Sequence, residues 1–170
     1  HFTFDTHRIQ SLTDGVFAIA MTILVLNLEI GDPKTKEDFH NFHGKLLNLW
    51  PQLQHYVASF FILGAFWIKN HQMFHFIKKT DKTLLWMNML SLMFICLIPF
   101  STTLASDFSG HKSAVYIFDA NMFIIGVIYF LTWRHVTKDN RYVEKDLHKD
   151  IVEYHNLGNL LIPAISLVAI

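Results

Sequence analysis

Among 170 residues there is one cysteine, Cys96, so no intramolecular disulfide holds this chain together. Charge is equally scarce. Asp, Glu, Lys and Arg make up 16% of the residues and cancel to a formal net charge of zero, which gives no reason to expect a nucleic-acid partner. Glycine contributes 7 residues against 16 phenylalanines, a balance that suits helices with bulky, lipid-facing side chains rather than a bundle packed through glycines. No tract shows the strict alternation of a barrel strand. The first apolar run is too long for a cleavable signal peptide and lacks an A-x-A-type cleavage site. No soluble domain, low-complexity tract or internal repeat stands out.

What remains is apolar length. Hydrophobic residues make up 52% of the chain and the mean hydropathy is +0.29, which is too apolar and too charge-poor for an ordinary soluble domain. A span needs roughly 20 apolar residues, and helices alone satisfy their backbone groups in lipid without closing into a barrel. Five runs reach or approach that length: Ile9 to Ile30, Leu46 to Ile68, Leu84 to Ala105, Ala114 to Trp133 and Ile151 to Ile170. The expected fold is therefore all-α, a polytopic transmembrane bundle forming one domain over residues 1–170. The chain begins at His1 without a methionine and stops within an apolar run, so it is expected to be incomplete at both ends.

Five spans put the segment before Arg8, the Lys69 to Thr83 connection and the Arg134 to Asp150 connection on one side. That side holds ten Lys and Arg residues against four on the other (Lys34, Lys36, Lys45 and Lys112). The positive-inside rule then places the amino terminus in the cytoplasm of a multi-pass cell-membrane protein. Trp50 with Pro51 opens the second run and Trp133 closes the fourth, positions that suit the interfacial aromatic belt. Pro99 and Pro163 lie inside spans, where each removes a backbone donor and is expected to kink its helix.

An ionisable group inside the bilayer costs at least ~2.5–3.5 kcal/mol on insertion scales and normally faces a partner or a water-filled path. Asp14 sits six residues past Arg8, roughly 9 Å along its helix. Trp67 and His71 near the end of the second run, and Asn88 near the start of the third, reach a similar depth. Asp14 is thus expected to be held by Trp67, His71 or Asn88, whose N–H groups supply donors. The network either pins helices together or takes a direct part in permeation.

Along the first run, Leu12, Gly15, Ile19, Ile23 with Thr22 beside it, Leu26 and Ile30 recur at spacings of three and four and form one stripe. Periodicity alone marks such a stripe as helix-packing core. The surrounding residues suggest otherwise. Arg8, then Leu12-Thr13-Asp14, then the apolar run Gly15 to Leu26 resemble the first-helix signature of the TMEM175 family of potassium-conducting channels, an Arg, three residues, then Phe-Ser-Asp. Leu12 replaces the phenylalanine and Thr13 the serine. The likeness continues through Trp67, His71 and Leu84 to Leu104, where Pro99-Phe100-Ser101-Thr102 resembles the third-helix ending.

That resemblance implies six spans per repeat, with a sixth helix beyond Ile170, and a homotetramer that sets four first helices around one axis. It implies a K⁺-permeable channel, not an enzyme, that uses no cofactor and passes K⁺ and other monovalent cations across a lipid bilayer. Ile19 would be the narrowest apolar ring, Ile23 and Leu26 would extend the constriction, and Thr22 would offer a ring of hydroxyls. Arg8, Leu12, Thr13 and Asp14 with Trp67, His71 and Asn88 would form the supporting motif. No Thr-Val-Gly-Tyr-Gly segment exists, so a carbonyl-cage filter is excluded and selection rests on partial dehydration at apolar rings and weak coordination by Thr22. Glu29, Asp32, Glu37 and Asp38 beyond the run read as a solvated loop or as a cation-concentrating mouth.

Eleven histidines offer a competing class. His71 and His75 share a helical face at i and i+4, as haem or metal ligation in a bundle uses, and His55 lies within a span. No H-E-x-x-H motif accompanies them and no carboxylate lies beside them in sequence, so no metal site is expected. A secondary transporter is the third alternative, although the discontinuous helices and inverted repeats of that class are not evident.

Overall fold

The computed structural model describes residues 6–26, 28, 42–108, 110–138, 142–143 and 158. Among the described residues six helices follow one another: α1 (Thr6–Leu26), α2 (Phe42–Asn48), α3 (Trp50–Phe76), α4 (Lys82–Cys96), α5 (Ile98–Asp107) and α6 (Lys112–Thr137). Among the described residues the extended backbone pairs only as one isolated antiparallel bridge, Ile77 with Val143.

Three stretches among the described residues are long and apolar enough to cross a membrane: Thr6–Leu26, Lys82–Asp107 and Lys112–Thr137. Helix α3 has 27 residues, about 40 Å of helix. It is longer than its apolar run because Lys69 to His75 continues the turn pattern, burying Asn70, Met73 and Phe74 while His71, Gln72 and His75 stay exposed. Pro51 sits in its first turn, where the missing N–H costs nothing. Of the fifth run expected from the sequence, Ile151 to Ile170, only Gly158 lies among the described residues; its carbonyl accepts from Lys69 Nζ. Pro163 lies outside them.

Pro99 does more than kink its span. The third run divides at Leu97 into α4 and α5, and Leu97 N turns back to Phe94 O at 3.1 Å. Proline has no N–H to give the carbonyl four residues earlier, so the ladder is interrupted there. Asn121 from α6 meets this break, its Nδ2 lying 3.2 Å from Phe94 O, which also accepts from Leu97 N, and 3.4 Å from Ser101 Oγ. Ser59 of α3 reaches the same level and lies 2.9 Å from Thr102.

Helix α1 packs on α3, α4 and α5, and α6 closes the far side against α4 and α5. In the central core Phe17, Ala20 and Leu24 of α1 meet Leu63 and Phe66 of α3, Leu92 and Ile95 of α4, and Ile125 and Tyr129 of α6. Lipid tails are as apolar as these side chains, so what holds them is close packing and interhelical hydrogen bonding rather than exclusion of water. A second cluster, of Ile9, Met73, Phe74, Ile77, Leu84, Trp133 and Val136, closes the end where α1 begins. Trp133 therefore departs from the interfacial position expected for it. It is wholly buried, with its ring edge-on to Phe76 at 6.2 Å.

Candidate functional site

Helix α1 has two faces of different fate. Ile9, Thr13, Phe17, Ala20 and Leu24, spaced four, four, three and four apart, are buried against the rest of the subunit. The stripe that periodicity alone reads as core lies on the other side. Leu12 is 49% exposed, Ile19 60%, Ile23 42% and Leu26 72%, and Asp14, Gly15 and Thr22 are exposed with them. A Cβ added at Gly15 would meet nothing within 4 Å. The packing face carries the aromatic Phe17 and the small Ala20; the open face carries branched aliphatics and the hydroxyls of Ser11 and Thr22. Ile30 and the acidic residues Glu29, Asp32, Glu37 and Asp38, with Lys34 and Lys36, lie outside the described residues.

Thr22 donates its hydroxyl proton to Ile19 O at 2.8 Å. This back-bond to the preceding turn is the usual resting place of a helical threonine hydroxyl, and it leaves only oxygen lone pairs for anything beside the open face. Such a hydroxyl acts as an acceptor.

Two hydrogen bonds anchor the first half of α1. Trp67 Nε1 donates to Asp14 Oδ1 at 2.8 Å, joining α3 to the open side of α1. Asn88 Nδ2 of α4 donates to Thr13 Oγ1 at 3.0 Å on the buried side, while Thr13 donates its own proton to Ile9 O at 2.9 Å. Asn88 therefore engages Thr13 and not Asp14. His71 reaches Asp14 only through its neighbour, with its ring 5.8 Å from that of Trp67 and tilted 31° to it. Arg8 lies exposed one and a half turns before Asp14. Asn88 Oδ1 is buried without a partner among the described residues.

A second polar cluster, not anticipated from the sequence, lies at the same end of the bundle. Asp81 caps α4, accepting from Leu84 N at 2.8 Å; Tyr142 donates its hydroxyl to the carboxylate at 3.0 Å, and His135 Nε2 lies 3.1 Å from it. The His135 and Tyr142 rings stack at 5.5 Å, and Lys78 N donates to Tyr142 O at 2.8 Å. Burial pushes the Asp81 carboxyl up, but the bonds from Leu84, His135 and Tyr142 and the charge of His135 outweigh it, leaving the pKa below the usual carboxylate value. The signal available in the sequence was the N-cap: an Asp just before an apolar-periodic run.

Among the described residues, no three His, Cys, Asp or Glu side chains are placed to share a metal ion. His75 instead lies against Phe76, with ring centroids 5.4 Å apart.

The match to known proteins covers the same elements. A family model described as endosomal/lysosomal potassium channel TMEM175 fits residues 8–99, more than half of the chain and a stretch that runs from Arg8 to Pro99. The chain belongs to the TMEM175 family. It is 29% identical over 139 residues to a potassium channel of Streptomyces collinus, covering 79% of this chain and 66% of that one. To a potassium channel of Chamaesiphon minutus it is 28% identical over 168 residues, covering 97% and 82%. The crystal structure of a lysosomal potassium-selective channel TMEM175 homologue from Chamaesiphon minutus superposes with a TM-score of 0.83 at 28% identity, over 96% of this chain and 84% of that one. The fold is thus the helical membrane fold of a TMEM175 channel. The family is one of ion channels and not of enzymes.

Proposed function

We propose that this chain is a subunit of a potassium-permeable channel in which copies of α1 surround the pore. The observation that carries the proposal is the outward apolar stripe: Leu12, Ile19, Ile23 and Leu26 are exposed on a helix whose opposite face is packed, as a helix lining a shared axis requires. Four subunits, the assembly implied by the family resemblance, multiply each side chain into a ring. Ile19, Ile23 and Leu26 then form successive apolar rings and Thr22 one ring of oxygen acceptors, its proton being committed to Ile19 O.

Selection follows from dehydration. An ion passing an apolar ring sheds part of its water, which costs less for K⁺ than for the more strongly hydrated Na⁺, and the Thr22 oxygens replace some of what is lost. The same rings close the pore by dewetting when they draw together. Asp14 with Trp67, and Thr13 with Asn88, fix the first half of α1 to α3 and α4 and so set the ring radius. The ten-to-four division of basic residues puts the amino terminus in the cytoplasm of the cell membrane. No cofactor enters this scheme; K⁺ is the permeant species.

The test is the reversal potential of the purified protein in a planar bilayer under a K⁺ against Na⁺ gradient. A K⁺-biased potential that collapses in Ile23→Asn supports an apolar constriction on α1, and a smaller loss of discrimination in Thr22→Ala supports coordination by the hydroxyl. An unchanged potential in Thr22→Ala leaves the apolar rings acting alone. Electrical silence of the wild type refutes the channel.

A further inference from the structure

The end of the bundle where α1 begins carries a group of exposed basic residues. Lys78 and Lys79 lie between α3 and α4, Lys82 opens α4, and Arg134 and Lys138 stand at the end of α6. The Asp81 cluster ties these segments together, with His135 Nε2 3.1 Å from the carboxylate and Lys78 N donating to Tyr142 O at 2.8 Å. Lys79 and Lys82 are separated by at most about 11 Å of fully extended chain, so their flexible side chains can meet on one anionic group. The two acidic side chains described at this end are already engaged. Asp14 accepts from Trp67, and Asp81 from Leu84 N and Tyr142.

Beyond Lys82 the outer face of this span is apolar. Lys82, Trp86, Met89, Met93, Leu97 and Phe100 recur at spacings of four, three, four, four and three, and all six are exposed, while Leu84, Asn88, Ser91, Leu92 and Ile95 turn inward. Trp86 is 73% exposed. The stripe runs along a stretch long enough to cross a membrane, Lys82–Asp107. Its order is that of a membrane boundary: an ammonium at phosphate level, an indole one turn further in, then side chains suited to acyl chains. A soluble anion would leave the stripe bare, and a neutral lipid would leave the lysines unanswered. An amphiphile with an anionic head satisfies both.

We propose that this corner of the subunit binds an anionic phospholipid of the adjoining leaflet, with the phosphate held by Lys79 and Lys82 and the chains lying along Trp86, Met89 and Met93. The segment that bears the lysines also touches the pore helix. Thr80 is buried and its hydroxyl lies 3.0 Å from that of Thr6 in the first turn of α1, while Ile77 and Leu84 share a cluster with Ile9. A lipid held by Lys79 and Lys82 therefore steadies the segment on which α1 begins. The effect on conduction rests on the channel function proposed above; the binding does not.

Tryptophan quenching in the full chain, reconstituted in phosphatidylcholine vesicles, tests the binding. A minor fraction of the lipid carries a nitroxide quencher near the glycerol end of one chain, on phosphatidylglycerol in one set of vesicles and on phosphatidylcholine in the other. Wild type is expected to favour phosphatidylglycerol at least about fivefold, and the double substitution Lys79→Gln with Lys82→Gln to bring the two lipids to about equal quenching. Trp86→Phe is expected to remove most of the excess, because the indole beside the site is gone. Both lysines are exposed, so the double variant should keep the wild-type thermal midpoint in phosphatidylcholine alone. Equal quenching of wild type by the two lipids, or an excess unchanged in the double variant or in Trp86→Phe, overturns the site. A Trp86 that neither lipid quenches puts a second copy of the chain on the stripe and overturns it as well. In bilayers, phosphatidylglycerol in the leaflet at this end is expected to change the wild-type current and to leave that of the double variant unchanged; the same change in both overturns the coupling to α1. A protein that favours phosphatidylglycerol through its lysines yet carries no current keeps the site and refutes the channel.

Discussion

The contact between Thr13 and Asn88 makes a prediction of unusual sign. Asn88 is 3% exposed, donates once to Thr13, and leaves its side-chain carbonyl oxygen without a partner among the described residues. Replacing it by leucine removes one interhelical hydrogen bond, worth ~0.6 kcal/mol on average in membrane proteins and ~1.7 at most. The same change removes a buried acceptor whose lack of a partner costs ~1–3 kcal/mol. Thr13 loses no donor bond, because its proton goes to Ile9 O. Asn88→Leu is therefore expected to be neutral or stabilising by about 1 kcal/mol. Thr13→Val is different. It strips the carboxamide of its remaining partner and is expected to cost about 1–2 kcal/mol when Asn88 is present, and little when leucine replaces it. Reversible unfolding in mixed detergent micelles, read by tryptophan fluorescence across the four proteins of the cycle, measures the difference. A Thr13→Val cost that is the same in both backgrounds refutes the reasoning. If Asn88→Leu also conducts normally, the pair is a structural fastening and plays no direct part in permeation.

Two further outcomes follow from the same end of the bundle. Trp67→Phe deletes the indole donor to Asp14 while keeping an aromatic ring; both residues are exposed in the subunit, so the loss is expected to be near 1 kcal/mol or less, with a shifted single-channel conductance as the more sensitive measure. Asp81 contributes through a depressed pKa, so its stabilisation is complete above the ordinary carboxylate value of about 4 and is lost as pH falls through the lower folded value. Unfolding measured from neutral to acid pH should show that acid-side loss in wild type and a shallower one in Asp81→Ala, which also forfeits about 1 kcal/mol of helix cap. Equal slopes would remove Asp81 from the acid response.

The helices were legible from apolar run length because lipid leaves the backbone few other ways to pair. Their ends were less so: α3 continues past Ile68 because Asn70, Met73 and Phe74 pack inward on its next turns, and Pro99 interrupts the ladder of its run at Leu97. On α1 the stripe was visible, but its direction was not. Both faces are apolar, and only the location of Phe17, Ala20 and Leu24 against α3, α4 and α5 shows which one the subunit keeps. Depth arithmetic brought Asp14, Trp67 and Asn88 to one level without telling which donor meets which acceptor, since that depends on helix rotation. Trp133 was misplaced because a tryptophan near a helix end reads the same whether it meets headgroups or, as here, the side chains of α1, α3 and α4. The Asp81, His135 and Tyr142 cluster joins residues up to 61 apart, and no local pattern links its members.

The division of α1 into two independent faces has a consequence for how such proteins diversify. Ile19, Thr22, Ile23 and Leu26 are exposed in the described subunit, so the width and chemistry of the proposed rings can vary while the fold stays intact. Changes at Phe17, Ala20 or Leu24 must instead be answered by partners on three other helices. One helix thus joins a face open to substitution to a face held by its neighbours.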